Sequence, residues 1–254
     1  MMMRRIRRAV ALVFALSGSV VRLGLMRVRG PFTPELRGQW FQSTSRRLIA
    51  SVGVGVRVMG LPPMRGLVVS NHLSHIDAII YAAIVPSVMV AKAEVRCWPL
   101  IGVLARACGT LFVDRASRTS ALEVTDQVAE CMKGPLPVLF FPEGTSTDGS
   151  EVLRFHSRLF TPAVEAGAPI TTATIRYVIE DGTPERELCW YGDSFLVPHL
   201  WKALGVTGFY AEVRFGEPKI YRHRREAADR THDEIAAARS SAAVHQEAET
   251  LAPA

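Results

Sequence analysis

The chain has 254 residues, 48% of them hydrophobic and 21% charged, with 15 prolines and 19 glycines. That composition excludes a disordered, collagen-like or disulfide-stapled chain and suits one large domain, or a domain with appendages. Lysine and arginine number 30 against 24 aspartate and glutamate, giving +6 and a pI near 9.5. A basic excess favours anionic partners (nucleic acid, acidic lipid headgroups, phosphorylated substrates) without choosing among them. Cys97, Cys108, Cys131 and Cys189 form no C-x-x-C pair, so metal-site spacing is absent and they read as reduced, mostly buried thiols.

The N-terminus opens on a basic cluster, Met1 to Arg8, followed by an apolar run from Ala9 to Val21 broken only by Ser17, Gly18 and Ser19. Arg22, Arg27 and Arg29 close it. The run is shorter than the about 20 apolar residues that a spanning helix needs. It has the design of a secretory signal peptide, and equally that of a helix half-sunk in a leaflet with arginines reaching anionic headgroups.

Pro31 to Pro34 predicts a break. Glu35 to Ala50 then predicts a second helix, in which Trp40 and Phe41 beside Arg37, Arg46 and Arg47 suit either a membrane interface or a core. Val52, Val54, Val56 and Val58 alternate with Gly53, Gly55, Arg57 and Met59. Period two with β-branched residues predicts a strand. Further strands are expected at 66–70, 87–92, 109–113, 137–141 and 169–178, and helices at 76–85, 99–107, 120–133 and 161–166. Alternation of this kind predicts an α/β domain with a mostly parallel central sheet flanked by helices. The chain thus divides into N-terminal helices over 1–50, the α/β domain over 51–221, and a frayed, partly helical Ala/Arg/Glu-rich tail over 222–254.

Chemistry on parallel sheets gathers in the loops after the strands' C-terminal ends, and three chemically loaded loops occupy that position. Asn71-His72-Leu73-Ser74-His75-Ile76-Asp77 follows the strand at 66–70. A histidine takes protons near neutral pH, and a nearby carboxylate holds its tautomer and stabilises the imidazolium. His72 and Asp77 are five apart, so they meet if His72 sits on the turn and Asp77 in the first helical turns. Alone, the same residues also read as a capped turn with a first-turn carboxylate. Phe141-Pro142-Glu143-Gly144-Thr145 is a turn able to cradle an anion, or an ordinary glycine turn. Gly109 to Arg115 ends a strand on a forked cation suited to phosphate, or to a surface ion pair.

Together the three blocks resemble the glycerolipid acyltransferase family, whose best-known members acylate lysophosphatidic acid. The family's N-H-x4-D motif matches Asn71 to Asp77, its G-x5-R motif Gly109 to Arg115, and its F-P-E-G-T motif Phe141 to Thr145. Pro169-Ile170 loosely fits a later block, and the resemblance runs from about Val52 to Val178. It implies that His72 is the general base and that Asp77 orients it. Transfer is then direct, from acyl-CoA or an acyl carrier protein to a lysolipid hydroxyl, with no cofactor or metal. It also implies that Asn71, Arg115, Glu143, Gly144 and Thr145 bind substrate. The first acceptor it suggests is 1-acylglycerol-3-phosphate, giving phosphatidate. A cytosolic donor implies an active site on the cytoplasmic face of the cell membrane, hence a peripheral or monotopic anchor and membrane lipids as partners.

One position departs from the pattern. Many lysophosphatidate enzymes carry Arg after E-G-T, where this chain has Ser146 followed by Thr147-Asp148-Gly149. Relatives acting on lyso-ornithine lipid show a comparable run, which makes that lipid the alternative acceptor. Arg154, Arg158 and Lys92 are candidates for a replacement cation. Rival readings are a serine hydrolase, which lacks a G-x-S-x-G elbow, a nucleic-acid binder, which lacks a binding module, and a non-catalytic lipid-binding relative, which would tolerate change at His72.

Overall fold

The computed structural model describes residues 1–98, 101–114, 118–192 and 195–251. In chain order its elements are α1 (Met2–Val28), α2 (Pro34–Val52), β1 (Val54–Met59), β2 (Leu67–Ser70), α3 (Ile76–Ile84), β3 (Val88–Lys92), α4 (Ile101–Cys108), β4 (Leu111–Val113) and α5 (Arg118–Met132). They continue with β5 (Val138–Phe140), α6 (Thr161–Glu165), β6 (Ile170–Ile179), α7 (Leu196–Ala203), β7 (Phe209–Phe215) and α8 (Arg224–Leu251). The strands form one seven-stranded sheet in the order β1-β7-β6-β2-β5-β3-β4. Every neighbouring pair is parallel except β6 and β7. The expected α/β architecture, mostly parallel and flanked by helices, is what the chain adopts.

Strand side chains alternate between two faces, and here both are covered. Val68, Leu139 and Ile175 face the front layer with Trp40, Phe41, Ile80 and Tyr81. Leu67, Val69, Val138 and Phe140 face the back layer with Val124, Val128, Phe160 and Ile235. The central strands are therefore apolar in unbroken runs, as a doubly covered sheet requires.

Two expectations are changed, and one open alternative is decided. Val52 ends α2 instead of opening a strand, because Gly53 at φ 73° takes the left-handed position that closes the helix. The α2 helix is a core element: Trp40 is fully buried, and its Nε1–H donates to the Ser19 carbonyl at 3.2 Å. Arg46 and Gln42 cap the end of α3 by donating to the Ala83 and Ile84 carbonyls at 2.8 Å each. The frayed tail is instead a long helix whose first turns pack on the back of the sheet through Ala227, Ala228, Thr231 and Ile235. Small residues at three- and four-residue spacing make a close-packing stripe that hydrophobicity alone does not reveal.

Among the described residues, α1 is the one helix long and apolar enough, by length and composition, to cross a membrane. One of its faces docks on the body. Arg8 donates to the Leu204 and Thr207 carbonyls at 3.3 and 3.2 Å and to the Val206 carbonyl at 2.5 Å, while Ser19 and Leu23 are buried against α2. The opposite face carries exposed Ile6, Val10, Val13, Phe14, Val21 and Leu25.

Candidate active site

β2 and β5 are parallel neighbours with Val69 opposite Phe140, so the loops after them emerge side by side. That register brings the 71–77 and 141–145 segments together although about 70 residues separate them. Past the end of β2, Asn71 extends the ladder to β6 with its side chain. Its Oδ1 accepts from Ile175 N–H at 2.9 Å, and its Nδ2 donates to the Ile175 carbonyl at 3.0 Å. The bend that follows projects His72 out of the sheet.

His72 Nδ1 lies 2.8 Å from Asp77 Oδ2. A carboxylate accepts, so the proton is assigned to Nδ1 and the lone pair to Nε2. Nε2 has no partner among the described residues, and the ring borders the main cavity. Phe141 stacks on the imidazole at 4.1 Å between centroids, with an interplanar angle of 12°. Asp77 is completely buried in the first turn of α3, where the helix dipole favours an anion. Its Oδ2 also accepts from Leu73 N–H at 2.7 Å and Ser74 N–H at 3.0 Å, and its Oδ1 accepts from the Tyr177 hydroxyl. A buried carboxylate is tolerated because every direction is satisfied. The sequence pattern did not point to Tyr177, which sits on β6.

Glu143 is 4% exposed. Its Oε1 accepts from His72 N–H at 2.7 Å and its Oε2 from Leu153 N–H at 2.8 Å. Burial pushes its carboxyl up to about 7, although both donors and the nearby His72 ring pull it down. Asn71 and Glu143 were expected to bind substrate; the geometry turns both inward, where they hold the backbone that presents His72. Gly144 adopts φ 79°, so the turn after β5 needs a residue without a Cβ penalty there. Gly144 and Thr145 do reach the cavity wall. Arg115 lies outside the described residues. His75 packs edge-on to Trp190 and His199 at 5.3 and 5.2 Å. Burial, then His199, drops its pKa to about 3, which leaves a neutral ring poorly suited to act as a base.

The cavity has a volume of about 1090 Å³, just above the roughly 300–1,000 Å³ of small-molecule sites. Its walls are largely apolar, from Leu12 and Leu16 of α1, Leu48 of α2, Ile79 of α3, Leu104 of α4 and Leu200 of α7. His72, Thr145, Ser146, His156, Arg158 and Arg224 supply polar wall near the motif loops. Ser146 is spent internally, its hydroxyl donating to the Trp190 carbonyl. Lys92 borders the cavity but pairs with Glu94 at 2.9 Å. Among the described residues no cluster of three or more His, Cys, Asp or Glu is arranged to hold a metal ion.

Behind the dyad, Arg239 of α8 binds the Glu185 carboxylate at 2.7 and 3.1 Å, the Gly149 carbonyl at 2.6 Å and the Ile175 carbonyl at 2.9 Å. Glu185 in turn accepts from Tyr177 N–H at 2.6 Å. The C-terminal helix thus clasps the strand that carries Tyr177 and the loop that follows the second motif. Nothing local in the sequence around Arg239 announces this.

The family described as Acyltransferase matches residues 56–176. A lyso-ornithine lipid O-acyltransferase of Pseudomonas aeruginosa is 38% identical over 68% of this chain and 66% of its own length. A second, from Rhodobacter capsulatus, is 34% identical over 74% of this chain and 68% of its own. A 1-acyl-sn-glycerol-3-phosphate acyltransferase of Neisseria meningitidis is 31% identical over 72% of each chain. The crystal structure of the acyltransferase PlsC from Thermotoga maritima shares the fold, with a TM-score of 0.66 and 20% identity over 94% of this chain and 97% of that one. The chain belongs to the glycerolipid acyltransferase family and is an O-acyltransferase.

Proposed function

We propose that the chain transfers a fatty acyl group from acyl-CoA or acyl carrier protein to the hydroxyl of a lysolipid, with His72 as general base. The observation that carries this is the His72–Asp77 pair, its bare Nε2 bordering an apolar cavity of about 1090 Å³. Nε2 takes the acceptor hydroxyl's proton as the oxygen attacks the thioester carbonyl. The thiolate leaves, and the imidazolium, steadied by Asp77, returns a proton to it. No acyl-enzyme is needed. Asp77 is in turn held by two backbone N–H groups and Tyr177, so the dyad is pre-set before substrate arrives. The apolar walls take hydrocarbon, and α1 lies in the membrane plane with its outer stripe in lipid, because its inner face is docked on the body.

Lyso-ornithine lipid is the acceptor favoured. Ser146 occupies the position where many phosphatidate-forming relatives carry Arg, and its hydroxyl is committed to Trp190. Relatives of that activity are also among the most similar. The second reading, lysophosphatidate, is favoured by Arg158 and Arg224 in the cavity wall and by the Neisseria relative. A headgroup scan decides: purified chain and labelled acyl-CoA with lyso-ornithine lipid, lysophosphatidate and a neutral lysolipid, with His72→Ala as the blank. The expected outcome is transfer to lyso-ornithine lipid, with turnover in the blank lower by about 10³-fold or more. Undiminished turnover in the blank removes the base assignment.

A further inference from the structure

The chain exposes a second apolar stripe, separate from α1. Phe195, Val197 and Trp201 on and just before α7 are 79%, 74% and 39% exposed. Val197 and Trp201 are four apart and share one helix face. The other face is packed: His199, Ala203 and Leu204 are buried, and Leu196 and Leu200 line the cavity that reaches His72. Three exposed large apolar side chains gathered at one short helix are the kind of surface that marks an interaction site.

We infer that α7 is a second membrane-docking element, a short wedge that enters the headgroup and upper acyl region beside α1 and seats the cavity wall against the bilayer. Continuity with α1 is the first argument. The Arg5 guanidinium lies 5.7 Å over the Trp201 ring, and Arg4 and Arg8 donate to the carbonyls of residues 204–207 just past α7. The two apolar stripes therefore belong to adjoining, mutually docked elements. Charge is the second. No acidic residue precedes Glu35 in this sequence, Arg5 stands over Trp201 and Arg4 reaches the Gly205 carbonyl, and Lys202 next to Trp201 is paired with Glu187 at 2.5 Å. Arginines of α1 beside an apolar, tryptophan-bearing patch match an anionic lipid surface. The amphipathic ring of Trp201, with a cation on it, is suited to the headgroup level.

The inference deepens the lysolipid reading but is measured without turnover. The test is partition of the full chain onto vesicles of mixed phosphatidylcholine and phosphatidylglycerol, comparing the parent with the double variant Phe195→Asp and Val197→Asp. Both side chains point to solvent, and aspartate is well accepted at a helix N-cap and first turn, so α7 is retained. Partition should fall by about tenfold or more, with α1 supplying the remainder; a change within about twofold overturns the wedge. As an independent readout, Val197→Cys in a Cys97→Ser, Cys131→Ser background carries a polarity-sensitive dye. A blue shift on vesicles is expected, and unshifted emission overturns the proposal. Sedimentation in detergent checks the other occupant: a mass that halves in the double variant assigns the stripe to a second copy of this chain and overturns the membrane assignment. Loss of partition in a chain that acylates no lysolipid would sink the acceptor reading alone, and normal turnover with unchanged partition would sink only the wedge.

Discussion

The two sides of the sheet are built to different rules. Behind it, Val124, Val128, Phe140, Phe160 and Ile235 fill the space between strands and α5, α6 and α8 with hydrocarbon. In front, α1 to α4 and α7 stand around a cavity of about 1090 Å³, and the His72 ring on its wall is backed by a fully buried carboxylate, Asp77. A dry packed layer returns free energy for every methylene buried, whereas a hollow layer with a buried carboxylate returns less and must satisfy its charge fully. The back face carries the stability that the front face spends on a receptive interior.

Mutations on either side should separate these roles. The largest effect is expected for Asp77→Asn, which keeps the shape but removes the charge: its amide oxygen can take the three donors now on Oδ2 with Nδ2 turned to the Tyr177 hydroxyl, and no anion is left to steady the imidazolium. Turnover should drop by about 10³-fold while the thermal melt moves little; a loss of folding with activity proportional to folded protein would merge the two roles. Ile235→Ala should do the converse. It should cost about 2–5 kcal/mol of stability by cavity formation with turnover per folded molecule unchanged, as denaturant unfolding and active-site-normalised kinetics will report. Tyr177→Phe removes one donor from Asp77 Oδ1, a loss of about 1–3 kcal/mol for a buried group left short of a partner. It should lower kcat by about tenfold at constant KM, and a KM effect instead would place Tyr177 at the substrate.

The smallest effect is a pH dependence. Glu143 in the folded chain sits at about 7 because of burial, above the carboxylate's ordinary value. The folded state therefore holds a proton that the unfolded state has released. Its contribution to stability is complete below the ordinary carboxylate range and is lost as pH rises through about 7. Melting curves from pH 5 to 8 should fall more steeply for the parent than for Glu143→Gln, and parallel slopes would assign the dependence to other groups.

Much of this architecture is legible in the sequence, for physical reasons that differ by element. Strands β2, β3 and β5 announce themselves as short apolar runs and β6 as a longer β-branched one, and the three motif loops stand out because each follows a strand legible in this way. The His72–Asp77 contact is legible too, since a turn followed by a helix start is local geometry. Tyr177 is not, because its partner Asp77 lies 100 residues away and only the β2–β6 pairing brings them together. Glu143 misleads in the other direction: a carboxylate beside a glycine reads as a ligand cradle, yet its partners are two backbone amides, one in the neighbouring strand's loop and one in its own. The 209–215 strand alternates buried and open positions, a pattern that local reading passed over. The packing of α8 escaped because alanine and threonine bury snugly while scoring as weakly hydrophobic.

The Arg239 clasp sets an order of events during synthesis. Both motif loops leave the ribosome long before the guanidinium that ties Gly149, Glu185 and the Tyr177 strand together. The apolar α1 helix emerges before either of them. A nascent chain thus offers α1 to lipid while its chemistry still awaits α8, and a chain halted before residue 239 keeps every signature residue but lacks the fastening that seats them.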